Sequence, residues 1–599
     1  MAKNANPKTW NFTGISRATY ASNDLDGSGV NIDPIASFTT SANLLVVDVD
    51  ASASTDPDGT IVSYDWDWGD ATANGSGVTA QHTYASAGTY TITLTVTDNG
   101  SATNQTTKQV TVSATAPSHQ LPLGNFEPAK MPLNLIYPRP DTETQTHARH
   151  RLMHSQMIYE IPIGIQGGAW PLHYEIITAP SGSAIGTYNT TTGFDADYGV
   201  LTVPAQGSGT YNITVRVTDQ EGSSIDAIWS AEGDDSKFTF IDSAFAGTST
   251  GTHDNPLKST DDWYLGDNSD TTYLNQVVVL KQGSGNYVIT GDPASNNNMV
   301  LDPTAKTPSL IAYPGDTPVF DCSGCKINTN NLADLTVFGI KFTGARQDVN
   351  NAHFIWCKNQ TDRFTFWGCE FDNFSKGLVG TDNNSPVFVS ARNGIKRYGY
   401  FADNTWNNIQ NGDSSNGSYC DFYDVSDLLI ERNTVSNSES TYGFWCKGTT
   451  AFVTVRANTC IDNNDGRQIT FGYGNESALL PHDNEACWNQ CVIPFADTGQ
   501  DIILWAMSNG WGGQTYNSYM YRNTFVGGRA NNRFPGVENY ETDGNVIVND
   551  SLSSWDTTIQ TTVNPNLTAT SSTTNIDANG DLINGWAANE GTHGYKVAA

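Results

Sequence analysis

The chain has 599 residues, of which 62 are acidic and 30 basic, so its net charge is −32. This excess of negative charge argues against nucleic acid or an anionic membrane as the partner, because both select for basic patches. No apolar run approaches the roughly 20 residues that a membrane-spanning helix needs, and the abundant Gly, Ser, Thr and Asn with 11% aromatic residues suit turns and half-buried strands.

Residues 1–33 are expected to form a polar arm. The segment from Met1 to Lys8 lacks the apolar core of a secretion signal. This favours either a trimmed chain or a protein that is made in the cytosol and leaves the cell without the general secretion route, as phage structural proteins do at lysis.

The end of the arm contains part of a calcium-loop pattern. Asp24, Asp26 and Ser28 are spaced like the first oxygen ligands of such a loop, but Ile35 stands where a bidentate acid would close it. We therefore expect no required cofactor, with Ca²⁺ at these three residues as a metal site to consider. The segment from Asp577 to Asp581 offers a similarly partial pattern.

Residues 34–114 alternate apolar and polar side chains between turn signals, which predicts a small β-sandwich. The stretch resembles the PKD (polycystic kidney disease) repeat, an immunoglobulin-like module. The resemblance rests on Asp56-Pro57-Asp58-Gly59, on Trp66-Asp67-Trp68-Gly69-Asp70, and on Gly88-Thr89-Tyr90 leading to Val96-Thr97-Asp98; Ala71 stands where the family usually has Gly. The resemblance implies a spacer or adhesive module, and we expect Trp66 and Trp68 in its core rather than on a sugar-binding surface.

Residues 115–235 are predicted to form a second sandwich. The segment from Gly209 to Asp219 repeats the pattern of Gly88 to Asp98 at a displacement of 121 residues. The phrases from Ala179 to Gly182 and from Gly199 to Val203 are similar to those of bacterial Ig-like and cadherin-like modules. The region also contains three histidines, for which an exposed or interface segment is favoured over a metal site: His147, His150 and His154.

A short phrase returns along the C-terminal half of the chain: a turn residue, usually followed by Asn, then one residue and an apolar side chain. Its copies are centred on Ile340, Cys369, Asn404, Asn433, Asn458, Asn489, Asn523 and Asn545, at steps of 29, 35, 29, 25, 31, 34 and 22 residues. Such a period, with strand-like runs and no helical periodicity, predicts stacked coils. We predict a right-handed parallel β-helix over residues 236–550, with the Asn residues stacked as a ladder at turns, where Asn tolerates left-handed dihedrals. A capping segment is expected at 551–599.

All nine Cys lie between Cys322 and Cys491, inside the predicted solenoid, and are expected to be reduced and buried. Cys322 and Cys325 have the spacing of a metal or redox pair, but no second pair follows at zinc-site distance. The segment from Gly251 to Leu257 resembles the opening of many extracellular and viral parallel β-helix proteins. That fold carries lyases, hydrolases and inert spikes alike. The predicted fold class is all-β: an N-terminal arm, two Ig-like β-sandwiches and a right-handed parallel β-helix.

Acids, basic residues and aromatics concentrate in two stretches between repeats. Glycoside hydrolysis needs two carboxylates, and polysaccharide lysis needs a base and a cation. The catalytic candidates, expected in a long loop, are Asp462, Asp465, Arg467, His482, Asp483 and Glu485. The candidate carbohydrate-binding aromatics are Tyr473, Trp505, Trp511, Tyr516 and Tyr519. Alternatively, the acids simply populate turns and the aromatics cover the coil exterior; the paired motifs of β-helical polygalacturonases and pectate lyases are absent.

The module order and the composition leave three hypotheses. The first is a bacteriophage virion surface protein (a tailspike, fibre, head spike or decoration protein) that docks to other virion proteins through its arm, contacts host surface polysaccharide and forms a homotrimer. The second is a secreted, extracellular polysaccharide lyase or glycoside hydrolase with an accessory PKD-like module. The third is a purely structural adhesin or decoration protein. We expect the first, at the virion surface, and leave open whether it depolymerises the glycan.

Overall fold

The structure is a computed structural model. It describes residues 31–43, 46–86, 88–112, 128–140, 148–189, 193–195, 198–260, 277–283, 285–288, 299–301, 309–323, 326–329, 334–344, 353–357, 363–375, 385–390, 396–410, 417–438, 442–448, 450–461, 467–473, 482–492, 501–505, 516–526, 529–531, 538–543, 545–548 and 567–569. Within these ranges the chain is all-β, and no helix is long and apolar enough to cross a bilayer. The chain divides into two compact units, one up to Ser118 and the other from His119 onward.

The first unit is a β-sandwich built around two tryptophans. One sheet contains Thr39–Asn43, Val46–Asp50 and Thr79–Thr83, and the other contains Ile61–Asp67, Gly75–Ser76, Gly88–Asp98 and Thr103–Val112. Trp66 and Trp68 are buried and stack with ring centroids 6.2 Å apart. Alternation in Gly88–Asp98 buries Ile92, Leu94 and Val96 against them. The core interpretation of the two tryptophans is confirmed.

A second sandwich opens the other unit. Its larger sheet contains Leu152–Met153, His173–Thr178, Gly209–Thr218 and Ser224–Gly233, and a smaller one contains Tyr159–Pro162, Ala184–Ile185 and Val200–Val203. Strand pairs join Asn134–Tyr137 to Gly164–Gln166 and Thr187–Asn189 to Gly193–Asp195, and short 3-10 turns lie at Arg149–Arg151 and Asp235–Lys237. His150 and His154 are buried rather than exposed, and burial lowers the pKa of His150 to about 3.

From Phe238 the chain winds as a parallel β-helix with three parallel sheets, named A, B and C. Sheet A contains Phe238–Ile241, Val277–Leu280, Ser309–Ala312, Asp334–Phe338, Arg363–Trp367, Lys396–Ala402, Val425–Glu431, Ala451–Arg456, His482–Cys487, Tyr516–Tyr521 and Glu538–Asp543. Sheet B contains Tyr287–Val288, Val319–Asp321, Lys341–Thr343, Glu370–Ser375, Thr405–Gln410, Thr434–Ser436, Thr459–Ile461, Gln490–Val492, Thr524–Val526, Val546–Val548 and Leu567–Ala569. Sheet C contains Met299–Leu301, Ile327–Thr329, Ile355–Cys357, Val387–Ser390, Ser418–Tyr423, Tyr442–Lys447, Arg467–Tyr473, Asp501–Trp505 and Arg529–Asn531. The strand at Leu567–Ala569 carries sheet B past the predicted boundary at residue 550.

The repeated Asn residues form the expected ladder inside the coils. Asn458 accepts, at Oδ1, hydrogen bonds from the backbone N–H and the side-chain Nδ2 of Asn433 at 3.0 and 2.9 Å. Its own Nδ2 donates to the Ile430 carbonyl and to Asn489 Oδ1 at 3.0 and 2.9 Å. The same pattern links six buried residues: Asn404, Asn433, Asn458, Asn489, Asn523 and Asn545.

One detail of the ladder differs from the prediction. The residue in the left-handed region is the one before each Asn, not the Asn itself. These residues are Asp403, Arg432, Ala457, Trp488 and Arg522, with φ between 53° and 57°. The Asn side chain faces the interior, where a buried amide must have partners, while the preceding residue turns the chain.

The cysteines are buried thiols, as expected. The eight described cysteines are all buried and none forms a disulfide. Cys460 and Cys491 are neighbours in the register of sheet B, and burial raises the pKa of Cys369 to about 12. Cys325, which has the spacing of a metal or redox pair with Cys322, lies outside the described residues.

Much of sheet A is buried on both faces, because the second sandwich packs on its outer side. Leu428 and Ile430 join the interior core, whereas Leu429 joins a cluster shared with Ile165 and Trp170 of the sandwich. A strand covered on both sides needs apolar residues at consecutive positions. Val277–Leu280 is apolar at all four positions for this reason.

Buried charges fix the sandwich on sheet A. Glu431 accepts hydrogen bonds from Arg432 at 2.7 Å and Arg456 at 2.6 Å, and all three side chains are largely or fully buried. Arg456 also donates to the Ile165 carbonyl of the sandwich at 2.9 Å. Each charge therefore has a partner, as buried charges require.

Candidate functional site

The predicted site residues are divided between two sheets. His482, Asp483 and Glu485 lie in one strand of sheet A, and Tyr516 and Tyr519 lie in the next strand, with Tyr516 opposite His482 and Tyr519 opposite Glu485. Arg467 and Tyr473 begin and end one strand of sheet C, and Trp505 ends the following strand of that sheet. The region predicted as one long loop therefore contains strands of both sheets.

Several candidates carry no structural description. Asp462, Asp465 and Trp511, and the calcium candidates Asp24, Asp26 and Ser28, lie outside the described residues. For Arg467, Tyr473, Trp505 and Tyr516 the structure gives the strand and its register but not the side chain. Among the residues that are described, no group of three or more His, Cys, Asp or Glu is arranged to hold a metal ion.

Glu485 is placed differently from the prediction. It lies in a strand, is 1% exposed, and accepts hydrogen bonds from Thr454 Oγ1 at 2.8 Å and the Tyr521 hydroxyl at 3.0 Å. Burial raises the pKa of its carboxyl. Tyr519, half-buried, packs against the core between sandwich and β-helix. Both residues belong to the covered face of sheet A, because the sandwich packs there.

The exposed chemistry on sheet A comes from a column of left-handed positions. On five successive coils one residue is left out of the strand pairing and has φ between 50° and 60°: Tyr398, Asp427, Phe452, Asp483 and Asn517. The strands stay in register on either side of these positions, so each one kinks its strand without inserting an extra residue. The sandwich contacts the first two positions, where Arg139 lies over the Tyr398 ring at 3.5 Å and Asn134 donates to Asp427 at 3.1 Å.

The later positions of this column, together with His482, form a polar and aromatic group. We name it the His482 cluster: Phe452, His482, Asp483 and Asn517. His482 Nδ1 lies 2.6 Å from Asp483 Oδ2, and Asn517 Nδ2 donates to Asp483 Oδ1 at 3.1 Å. The Phe452 and His482 rings are edge to face, 5.4 Å apart. The side chains of His482 and Asp483 are each 25% exposed, and Phe452 is 40% exposed.

Phe452 is the unusual member of the cluster. A bulky residue with φ of 54° is unfavourable by roughly 1–2 kcal/mol, and an exposed phenyl ring gains little burial in return. Gln166 of the sandwich donates to the Phe452 carbonyl and so helps to hold this conformation. Strained residues of this kind cluster at binding and catalytic sites.

The sequence-based selection found His482 and Asp483 but missed Phe452 and Asn517. For the segment that contains Phe452, the sequence pattern predicted a strand and no functional residue. The alternation of Val453 and Val455 into the core was the available signal, because it places Phe452 on the outer face.

These features define the class of protein: an all-β chain with an Ig-like sandwich in one unit, and a second sandwich docked on a parallel β-helix in the other. Residues 31–113 match the family model of the PKD domain. That segment belongs to the PKD domain family.

Two solved structures are similar to this segment in sequence. The PKD1 domain of Vibrio anguillarum Epp is 39% identical, and the match covers 14% of this chain and 98% of that one, at a TM-score of 0.14. The PKD1 domain of the Vibrio cholerae metalloprotease PrtV is 34% identical, covering 14% of this chain and 99% of that one, at a TM-score of 0.13.

One solved structure whose match extends into the larger unit is a polysaccharide-degrading enzyme. The Yersinia enterocolitica family 28 exopolygalacturonase is 11% identical, with 64% of this chain and 96% of that chain covered, and its TM-score of 0.25 is too low to relate the two structures. No curated protein matches the chain.

Proposed function

We propose that the protein is a virion surface protein, of the tailspike, fibre or head-spike kind, that contacts host surface carbohydrate through the His482 cluster. The observation that carries the proposal is Phe452. Its backbone is in the left-handed region, and its phenyl ring is exposed beside the hydrogen-bonded pair His482–Asp483. The polar arm would attach the protein to the particle, the sandwiches would supply reach, and three copies would associate side by side.

The chemistry of the cluster suits a sugar. A pyranose ring has an apolar face, which packs on an aromatic ring, and hydroxyls at its edge, which bond to carboxylate, imidazole and amide groups. The cluster offers one of each within three successive coils of sheet A. The net charge of −32 favours a neutral glycan over an anionic one.

A second candidate function is a secreted polysaccharide lyase or hydrolase. The hydrogen-bonded, half-exposed His482–Asp483 pair favours it, because an Asp that orients a His is a common arrangement for proton transfer. A purely structural decoration protein remains the third hypothesis, and it predicts no binding by this cluster.

Binding to capsular and exopolysaccharide from candidate hosts tests the proposal. In the full-length protein, F452A and D483N should each weaken binding at least tenfold, whereas I228A, which removes an exposed apolar side chain from the second sandwich, should not. New reducing ends or unsaturated sugars would select the enzymatic alternative. Equal binding by all variants would contradict a role for the cluster.

The virion assignment has a separate test. Antibodies against the purified chain should label intact phage particles, and sedimentation should give the mass of three chains. Absence of the chain from purified particles, together with its presence in bacterial culture medium, would support the secreted alternative instead.

A further inference from the structure

A cleft lies between the second sandwich and the first coils of the β-helix. It encloses about 250 Å³. Arg149, Ile158 and Glu160 line it from the sandwich, and Tyr313, Phe338 and Trp367 line it from the β-helix. Ile158 is exposed and Tyr313 and Trp367 are half-buried. The cleft is distinct from the His482 cluster, none of whose residues lines it.

One column of positions holds only small residues at this end of the β-helix. Successive coils place Ala312, Gly339 and Gly368 in the cleft wall. Later coils have Ala457 once in this column, but two other positions hold large side chains that contact the sandwich: Arg432 lies over the Tyr198 ring at 4.9 Å, and the Trp488 ring lies 5.8 Å from that of Trp170.

Backbone conformation alone does not demand these glycines. Gly339 and Gly368 have φ of 66° and 62°, but Asp403, Arg432 and Trp488 adopt nearly the same φ with side chains. A Cβ added at Gly368 would meet no atom within 4 Å. Gly368 therefore leaves free space in its coil, whereas the equivalent position of the next coil carries the side chain of Asp403.

The walls combine aromatic surface with fixed polar groups. Trp367 packs edge to face on Phe338, with centroids 5.3 Å apart, and its Nε1 donates to Asp403 at 3.0 Å, which fixes the indole. Asp316, also in the lining, accepts a backbone hydrogen bond from Gln282 at 2.8 Å. The Glu160 carboxyl is half-buried.

Arg149 adds an unsatisfied donor. It is 2% exposed, and its guanidinium donates to the Leu152 carbonyl at 2.6 Å while its Nε has no hydrogen-bond partner. A buried unpaired donor is costly and calls for an explanation such as a bound polar group. Two carboxylates against one guanidinium disfavour an anion, and a purely apolar ligand would leave these groups without partners.

We propose that this cleft is a second carbohydrate site, which takes a single neutral pyranose unit. Aromatic walls with a few convergent polar groups are the usual make-up of a small-molecule site, and the volume is below the roughly 300–1,000 Å³ of drug-sized pockets. The choice of ligand class rests on the proposed glycan contact; the site itself rests on the cleft.

Saturation-transfer NMR of the full-length protein with methyl glycosides of neutral hexoses tests this site. Because the His482 cluster would also take a neutral sugar, the variants are compared in the F452A background. F452A should show transfer to at least one glycoside, and F452A/G368N, which fills the cleft with a residue that tolerates φ of 62°, should lose it. The matched control is F452A/G222N: Gly222 has φ of 85° and equal free space in a sandwich turn away from the cleft, so transfer should persist.

The outcomes separate the two sites. Transfer that F452A shows and F452A/G368N loses supports the cleft, even where polysaccharide binding fails and the proposed function with it. No transfer from any glycoside in F452A, or equal transfer in F452A/G368N and F452A, would overturn the proposal. Stronger transfer from methyl glucuronide than from every neutral glycoside would overturn its ligand class.

Discussion

Glu431 and Glu485 lie at outer positions of the two sheet A strands that flank Ala451–Arg456, and opposite surroundings act on them. Burial alone would raise the pKa of Glu431, but Arg432 and Arg456 outweigh it and lower that pKa. Glu485 accepts hydrogen bonds only from the hydroxyls of Thr454 and Tyr521 among the contacts described, and burial raises its pKa. The carboxylate is thus stabilised at the first position and disfavoured at the second.

The two glutamates should give opposite pH dependence of stability. The unfolded chain binds a proton at Glu431 more readily than the folded one, so this contribution is present above the ordinary pKa of about 4.3 and is lost as pH falls through the lowered pKa. For Glu485 the folded state keeps the proton longer, so stability falls as pH rises from about 4.3 through the raised pKa.

Denaturant unfolding of E431Q and E485Q between pH 3 and pH 8 measures this difference. At pH 7, E431Q should lose about 3–5 kcal/mol, because it takes the charge partner from the buried Arg456 and leaves Arg432 with Asp403 alone. E485Q should be neutral or stabilising at pH 7 and should remove the decline toward higher pH. Equal losses in both variants at pH 7 would contradict the assigned protonation preferences.

The asparagine ladder is the element that holds successive coils in register. Replacing Asn458 by Ala removes the acceptor for two donors of Asn433 and the donor to Ile430 and Asn489. We expect N458A to lose about 1–3 kcal/mol for each buried group left unpaired. N212A is the control, because Asn212 is exposed and lies within the regular strand Gly209–Thr218.

Hydrogen exchange of the two variants shows where the effect lies. N458A should accelerate exchange in the strands on either side, Val425–Glu431 and Ala451–Arg456, more than in the first coils. Protection equal to the wild type in N458A would mean that the ladder follows from the coil packing and does not stabilise it.

Local pattern predicted the coils well, and the reason is physical. Each repeat carries its own turn residue and its own Asn, so a single coil contains the information for its shape. The PKD fold was equally accessible, through Trp66 and Trp68. The loop predicted around Glu485 was misplaced because the strand His482–Cys487 is polar at its first four positions, so the local pattern carries no strand signal there.

The contacts that shape the candidate sites span long sequence distances. Gln166 bonds the Phe452 carbonyl across 286 residues, and Arg456 bonds Ile165 across 291. Alternation could have shown that Phe452 faces outward, but not that a sandwich leaves it exposed while covering Tyr398. The cleft beside Gly368 likewise depends on where the sandwich docks.

At the scale of the second unit, the sandwich and the β-helix share one core and should unfold together. Tyr137, Ile165 and Trp170 belong to the same buried cluster as Tyr400 and Leu429. Gly164 lies at the contact, where an added Cβ would be 2.7 Å from the Tyr400 ring. Tyr400 is buried and donates to Glu431 at 3.1 Å, so its ring has little freedom to move aside.

We therefore expect G164I to uncouple the two parts. Overpacking a buried contact costs about 1–3 kcal/mol, and that loss should separate the sandwich transition from the β-helix transition in calorimetry and move it to lower temperature. G207I is the control, since a Cβ at Gly207 meets no atom within 4 Å. The PKD unit, which neither substitution touches, serves as the internal reference. If the sandwich and the β-helix of G164I still unfolded in one transition at the wild-type temperature, the contact at Gly164 would not couple them. The exposure of the His482 cluster would then not depend on how the sandwich is fixed to the coils.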